Sequence, residues 1–231
     1  MTEHTLRQYD IELEEIRRGV LNMGGLAEAQ VVKAIEGLRS GQLDLLDTVI
    51  EGDKPINLAQ VELDDDCSHI IAKRQPAAGD LRLVLAVIKI ASDLERIGDE
   101  AKKIAKAARR LHSAETPFVP RVGLTQAVEL ALELLRASLD AFARVNPEGI
   151  EDLRRKDAEI DAGFKGVMRQ LITYMMEDPR MISPSLDLLF LAKAIERIGD
   201  HAKNIAEFII YVVKGEDVRH STMEKIESVV R

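Results

Sequence analysis

Length, composition and charge exclude several classes of protein: the chain has 231 residues, no Trp, a single cysteine and a net charge of −8. Acidic and basic residues are interspersed, which disfavours a nucleic-acid-binding protein, because phosphate contacts require a basic face, and no apolar run approaches the ~18 residues of a membrane span. The lone Cys67 cannot form an internal disulfide and the acidic start of the chain is unlike a signal peptide, so we expect a cytoplasmic protein that meets a membrane only through partners.

Apolar residues at helical spacing predict three helices in the first half of the chain. They span about residues 6–39, 43–73 and 81–111. Gly52 and Pro55 should kink the second helix, because proline removes a backbone donor and clashes with the previous turn. Asp80 is the predicted N-cap of the third helix.

Three further helices are predicted after a proline-containing linker over residues 112–121. They span about residues 122–144, 147–176 and 184–214. The dipeptides Asn146-Pro147 and Ser183-Pro184 both have the cap-plus-proline pattern that opens helices. These signals place the starts of the fifth and sixth helices.

The predicted fold is all-α, with six long helices in two tandem three-helix bundles. Short connections make consecutive helices antiparallel neighbours, which gives each half an up-down-up order. The first bundle covers residues 1–114 and the second covers residues 121–214. Residues 215–231 are a polar tail that either forms a short helix or frays.

One segment of the sequence occurs twice. SDLERIGDEAKKIAK (residues 92–106) and KAIERIGDHAKNIAE (residues 193–207) are identical at nine of fifteen aligned positions. Both copies lie deep inside a predicted helix. A match of this length indicates internal duplication, so the chain consists of two copies of one helical unit.

Carboxylates gather at equivalent places in the two copies. Each copy combines an acid pair on its motif helix, one turn apart at the rim of the bundle, with a second pair one helix earlier. The residues are Asp53, Asn57, Glu95 and Asp99 in the first copy, and Asp157, Asp161, Glu196 and Asp200 in the second. Asp53 and Asp157 fall on the apolar lines of their helices, where an unpaired charge is costly.

A bound cation would offset both the repulsion and the burial of these acids. Clustered carboxylates suit Mg²⁺, Mn²⁺ or Ca²⁺, and with few nitrogen ligands they can also hold iron. We therefore predict one metal site in each copy, the alternative being a structural network in which Arg96, Arg197 and lysines neutralise the acids. His201, which replaces Glu100 in the second copy, could add a nitrogen ligand, but we favour an exposed surface histidine.

These motifs resemble those of the PhoU family, regulators of phosphate uptake and of the phosphate-starvation response. PAAGDLR (residues 76–82) is similar to a signature at the start of that family's third helix, and residues 93–99 and 195–207 are similar to its two metal-motif helices. The resemblance covers about residues 6–214. It implies two bundles related by a pseudo-twofold axis, with single or clustered metals, iron or zinc among them, held by the acids named above. Asn57 stands where the second copy has Asp161, so the first site is expected to bind fewer ions or to bind them more loosely.

The resemblance also implies a role as a non-enzymatic adaptor and negative regulator. When phosphate is plentiful, such a protein contacts the ATPase of the phosphate ABC transporter and the sensor histidine kinase of the phosphate regulon. A homo-oligomer, a dimer, is expected. Two other hypotheses remain open: a carboxylate-bridged di-metal enzyme, although no Glu-x-x-His motif occurs in the chain, and a purely structural helical scaffold.

Overall fold

A computed structural model describes residues 7–113, 120, 122–219 and 221–230. Within these ranges the regular secondary structure is helical and contains no strand, which confirms the all-α prediction. The helices are α1 (Arg7–Ser40), α2 (Leu43–Glu51), α3 (Lys54–Arg74), α4 (Ala78–Ser113), α5 (Thr125–Arg144), α6 (Ile150–Glu177), α7 (Ile182–Lys214) and α8 (Met223–Val230), with a 3-10 turn (Pro179–Met181) ahead of α7. None of the helices in these ranges combines the length and the apolar character that crossing a membrane requires.

The kink predicted in the second helix is a break between α2 and α3. The backbone N–H of Gly52 still bonds to the carbonyl of Thr48 at 2.9 Å, and the side chain of Gln30 in α1 donates to the carbonyl of Gly52 at 2.5 Å. Pro55 lies in the first turn of α3, where a backbone N–H would have no acceptor within the helix, so its absence costs no hydrogen bond. The break places Asp53 at the junction of two helices, directed towards α4.

The N-caps predicted from sequence are wrong at three helix starts. Asp80 lies inside the first turn of α4. The side chain of Asn146 accepts the backbone N–H of Glu148 at 3.0 Å, which forms a turn ahead of α6, and Gly149, with φ of 84°, takes the cap position. Ser183 lies inside α7, which follows directly from the 3-10 turn. At α6 and α7, a local turn competes with the cap that the dipeptide suggests.

The helices pack as two groups, α1 to α4 and α5 to α7. The most extensive contact between helices joins α4 to α7, and α1 also contacts α5. Arg82 of α4 lies near Val212 of α7, whereas Arg110 lies near Asp187, so the two motif helices run antiparallel. The buried apolar side chains of both groups form one continuous core.

The structure describes little of the predicted linker between the bundles but most of the predicted tail. Most of the linker predicted over residues 112–121 lies outside the described residues, so the domain limits at residues 114 and 121 stay a prediction. After α7, the described residues form the short helix α8, which contacts α6 and α7. Val218 and Ile226 are fully buried, so this part of the chain carries apolar anchors as well as polar side chains.

Candidate metal centres and the helix interface

Asp53 is the centre of the first carboxylate cluster. Its Oδ2 accepts a 2.8 Å hydrogen bond from Nζ of Lys102, and Nδ2 of Asn57 lies 3.5 Å from the same oxygen. Asp53 is 8% exposed, and its Oδ1 is buried with no hydrogen-bond partner among the described residues. Gly98 makes room for the neighbouring Ile56, because a Cβ there would lie 2.9 Å from Cδ1 of Ile56, whereas its 3.7 Å distance from Asp53 Oδ1 would be an ordinary contact.

Asp157 of α6 has the same surroundings in the second copy. Its Oδ2 accepts a 2.6 Å hydrogen bond from Lys203, and its buried Oδ1 has no hydrogen-bond partner in the described part of the chain. Lys203 also donates to Asp200 at 2.8 Å. A Cβ at Gly199 would lie 3.0 Å from Cδ1 of Ile160 and 3.5 Å from Asp157 Oδ1. The motif glycine therefore has one function in both copies: it lets the isoleucine three residues after the aspartate, Ile56 or Ile160, pack closely against the motif helix.

Burial and the repulsion of neighbouring carboxylates act together on Glu95. Its half-buried side chain shares the cluster with Asp99 and Asp53. Burial, and then the charges of Asp99 and Asp53, raise the pKa of the Glu95 carboxyl above its ordinary value, although Arg96 opposes the shift. The hydrogen bond to Asp53 raises the pKa of Lys102. In the absence of a cation, this cluster therefore carries more negative charge than its lysine neutralises.

In the second cluster, one lysine, Lys203, neutralises more of the acidic charge than Lys102 does in the first. Burial raises the pKa of the Asp157 carboxyl, and the charges of Asp200 and Asp161 add to the shift, against the hydrogen bond from Lys203. Burial by itself would lower the pKa of Lys203, but its hydrogen bonds to Asp157 and Asp200 outweigh this effect and the pKa is raised. One ammonium group thus bridges carboxylates of α6 and α7.

The structure brings only some of the predicted ligands together. Electrostatic interaction links Asp53, Glu95 and Asp99 in one cluster and Asp157, Asp161 and Asp200 in the other. Glu196 is instead hydrogen-bonded to Lys193 at 2.6 Å. Among the described residues, no group of three or more Asp, Glu, His or Cys side chains is arranged to hold a metal ion.

The donor chemistry nevertheless fits a hard cation. Each cluster offers carboxylate oxygens, and in each one buried aspartate oxygen, Oδ1 of Asp53 or of Asp157, has no donor. Hard oxygen ligands of this kind are what Mg²⁺, Mn²⁺ and Ca²⁺ bind. A bound cation would take over the neutralising role of Lys102 and Lys203. The metal sites stay a prediction.

A buried polar network between α4 and α7 escaped prediction. Nδ1 of His201 lies 2.8 Å from Oδ1 of Asp93, and both residues are buried. Glu100 is 2% exposed, with Lys103 at 2.9 Å and Arg197 at 3.3 Å. The expectation that His201 is exposed is wrong, because α4 covers it. One sequence signal could have pointed to this network: when the two copies are aligned, His201 takes the position of Glu100 within the repeated motif.

These features define a class of protein: an all-α molecule built from two copies of a helical unit, joined through an antiparallel pair of motif helices. The PhoU domain family matches the chain twice, over residues 20–108 and 124–209. The chain belongs to the PhoU family, as its motifs predict.

Relatives of this family match the chain over its whole length. It is 45% identical to the phosphate-specific transport system accessory protein PhoU of Serratia marcescens, over 100% of this chain and 94% of the relative. The protein of the same description from Escherichia coli K12 is 43% identical, over 100% of this chain and 95% of the relative.

Solved structures of the family share the fold. The crystal structure of PhoU from Pseudomonas aeruginosa superposes with a TM-score of 0.86 at 41% identity, covering 90% of this chain and 100% of that one. The phosphate transport system regulatory protein PhoU from Streptococcus pneumoniae superposes with a TM-score of 0.84 at 29% identity, covering 91% and 99%.

Proposed function

We propose that this chain regulates phosphate transport and represses the phosphate-starvation genes without catalysing a reaction. It acts in the cytoplasm as an adaptor between the ATPase of the phosphate ABC transporter and the sensor histidine kinase of the phosphate regulon. The observation that carries the proposal is the full-length relationship to accessory proteins of the phosphate-specific transport system. A further relative, from Streptococcus pneumoniae, is described as a regulatory protein of phosphate transport.

The surface of the molecule supports a role in protein contacts. Several large apolar side chains are exposed, among them Leu58 at 63%, Met176 at 81% and Phe190 at 62%. Exposed apolar side chains supply contact area for partners when they form patches. The continuous core between the two bundles provides the rigid body that an adaptor requires. We place contacts with the kinase, the ATPase and a second copy of the chain on such surfaces.

Metal binding is the second part of the proposal. Each carboxylate cluster would hold a cation, Mg²⁺ or Mn²⁺ as a single ion, or iron or zinc as a cluster. Such an ion supplies positive charge where the acids repel one another. The ligands would come from Asp53, Asn57, Glu95 and Asp99 in the first copy and from Asp157, Asp161, Glu196 and Asp200 in the second.

A deletion strain tests the regulatory role. In phosphate-rich medium, loss of the protein should turn on alkaline-phosphatase-type starvation genes, and the wild-type chain should silence them again. Affinity purification from phosphate-replete cells, followed by mass spectrometry, should recover the kinase and the transporter ATPase. A reporter that stays silent in the deletion strain would contradict the proposal.

Calorimetry on metal-free protein tests the metal sites separately. Mn²⁺ should bind the wild type, and the double variant D53N/D157N should lose most of that binding because it removes the buried carboxylate of each cluster. The control is E62Q/D66N, an exposed acid pair with the same one-turn spacing on α3. Equal Mn²⁺ binding by both double variants would favour a structural scaffold with solvated acids.

A further inference from the structure

A polar cavity of about 540 Å³ opens beside the interface of the two motif helices, where α4, α6 and α7 meet the segment after α7. Among the residues that the structure describes, five cationic and three acidic side chains line the cavity. The cations are Lys89, Arg96, Arg154, Lys203 and Arg219. The lining side chains alone carry a net charge of +2, before Asp157 and Asp217, which lie outside the lining and pair with two of the cations, are counted.

Three of the five cations already have acceptors. Arg219 forms an ion pair with Asp217. Nε of Arg154 lies 3.5 Å from Glu207, and Lys203 is shared between two carboxylates as described above. These three side chains shape the wall of the cavity, and their acids neutralise most of their charge.

Arg96 and Lys89 differ from the other three cations. Both are exposed on α4, and neither makes a hydrogen bond or ion pair with the part of the chain that the structure describes. The Lys89 ammonium lies 5.4 Å from the centre of the Phe208 ring, and the guanidinium of Arg219 lies 5.1 Å from it. The cavity therefore presents hydrogen-bond donors of two positive groups for which the described residues supply no acceptor.

Glu95 and Asp217 interact electrostatically with Arg96 and Lys89, respectively, without a hydrogen bond among the described residues. Asp93 in the lining is engaged by other residues. Oδ1 of Asp93 is occupied by His201 at 2.8 Å, and Nδ2 of Asn204 lies 3.4 Å from the same oxygen. The hydroxyl of Ser92 lines the cavity beside Asp93 and supplies a neutral donor. The lining therefore combines a planar guanidinium, an ammonium and a neutral donor within one concave site.

We infer that this cavity binds a small phosphate-type oxyanion, with Arg96 and Lys89 as its main donors. A guanidinium group matches two oxygens of a phosphate in a bidentate arrangement, and an ammonium group adds a compact point charge. A cavity of about 540 Å³ has room for a small ligand of this kind. The proposed adaptor function assigns no small-molecule ligand, so this inference goes beyond it.

The duplication alone does not produce this site. In the aligned motif helices, Phe190 stands where the first copy has Lys89. Arg197, the counterpart of Arg96, is paired with buried Glu100. At these two described positions, the second copy therefore lacks both free cations: the counterpart of Lys89 is apolar, and the counterpart of Arg96 is neutralised by an ion pair.

Calorimetry with inorganic phosphate, pyrophosphate and sulfate, each at matched ionic strength, tests the inference. The full chain is kept metal-free in chelator, so that the carboxylate clusters contribute no bound cation. We expect saturable binding of phosphate or pyrophosphate with a Kd of about 1 mM or below. Each of R96Q and K89Q should weaken that binding about tenfold or more, because a hydrogen bond to a charged group is lost.

K106Q is the matched control, since it removes an exposed cation from the same helix but outside the cavity. It should bind like the wild type. Absence of saturable binding, equal losses in K106Q and R96Q, or sulfate binding as tight as phosphate binding would each overturn the inference. All three results leave the metal and adaptor proposals intact, because neither depends on an anion. Circular dichroism verifies that the exposed-site variants are folded.

Discussion

The two carboxylate clusters share an aspartate–lysine pair but differ in backbone: Asp53 lies at the break between α2 and α3, whereas Asp157 lies inside α6. In both, a motif glycine lets the isoleucine three residues after the aspartate pack closely, and a lysine of the motif helix donates to one oxygen of that aspartate. Lys102 bonds to Asp53 alone, whereas Lys203 bridges Asp157 and Asp200. Duplication has thus retained the close approach of the helices, while the carboxylates that the lysine contacts differ between copies.

The contact between the motif helices is asymmetric as well. If the two copies were identical, equivalent side chains would meet equivalent partners across the α4–α7 interface. Instead, Glu100 pairs with Arg197 and Lys103, and its counterpart His201 pairs with Asp93. Two different polar networks hold one interface, and each can be broken separately.

The largest expected effect comes from removing the imidazole at this interface. H201A should lower the free energy of unfolding by about 2–3 kcal/mol, because it leaves the buried carboxylate of Asp93 without its closest partner. Chemical denaturation measures the loss. The control H69A removes an exposed histidine of α3 and should change stability by no more than about 0.5 kcal/mol. Equal stability of both variants would show that the buried network contributes nothing.

Enlarging a motif glycine should have the next largest effect. G98L places a side chain where even a Cβ would lie 2.9 Å from Ile56, and we expect a loss of about 2 kcal/mol from overpacking. G199L should behave similarly, since Ile160 lies 3.0 Å from the corresponding position. The control is G25L, where a Cβ meets nothing within 4 Å and a better helix former should add a few tenths of a kcal/mol. If thermal denaturation showed that G25L is destabilised as much as G98L and G199L, this function of the motif glycines would be contradicted.

The sequence predicts most of the fold and only part of the site. Helical periodicity locates the long helices, and the repeat identifies the motif glycines and acids, because both signals are local. The partner of His201 is 108 residues away in sequence, and only the packing of α4 on α7 brings Asp93 to it. The break at Gly52, which sets the direction of Asp53, is likewise fixed by a long-range bond from Gln30. Contacts of this kind leave no periodic pattern in the chain.

Exchanging one ligand position should make the two clusters more alike in metal affinity. N57D supplies the first cluster with the acid that Asp161 gives the second, and should tighten Mn²⁺ binding there on the order of tenfold, because affinity follows the number of charged ligands. D161N should weaken the second site by a similar factor. Calorimetry on the two variants and the wild type, each stripped of metal, measures both shifts. Unchanged affinities in both variants would remove positions 57 and 161 from the ligand sets.

The smallest expected effect distinguishes Glu95 from its counterpart Glu196. Burial, Asp99 and Asp53 raise the pKa of Glu95 in the folded protein, so the folded state holds this proton more tightly than the unfolded state does. Stability of the metal-free protein should therefore fall as pH rises from below the ordinary Glu pKa to above the raised folded value. E95Q should flatten this part of the profile and, at neutral pH, add about 0.2–0.5 kcal/mol by removing one i,i+4 repulsion, a contribution kept small by solvent screening.

E196Q should bring no such gain, because Glu196 is already hydrogen-bonded to Lys193. Denaturation in chelator at a series of pH values compares the two variants with the wild type. Added Mn²⁺ should then reverse the order and stabilise the wild type more than E95Q, since the carboxylate that repels Asp99 without metal would become a ligand. Equal pH profiles for E95Q and E196Q would show that the charge of Glu95 does not affect the stability of the metal-free protein more than that of Glu196. Equal stabilisation of E95Q and the wild type by Mn²⁺ would show that Glu95 is not a metal ligand.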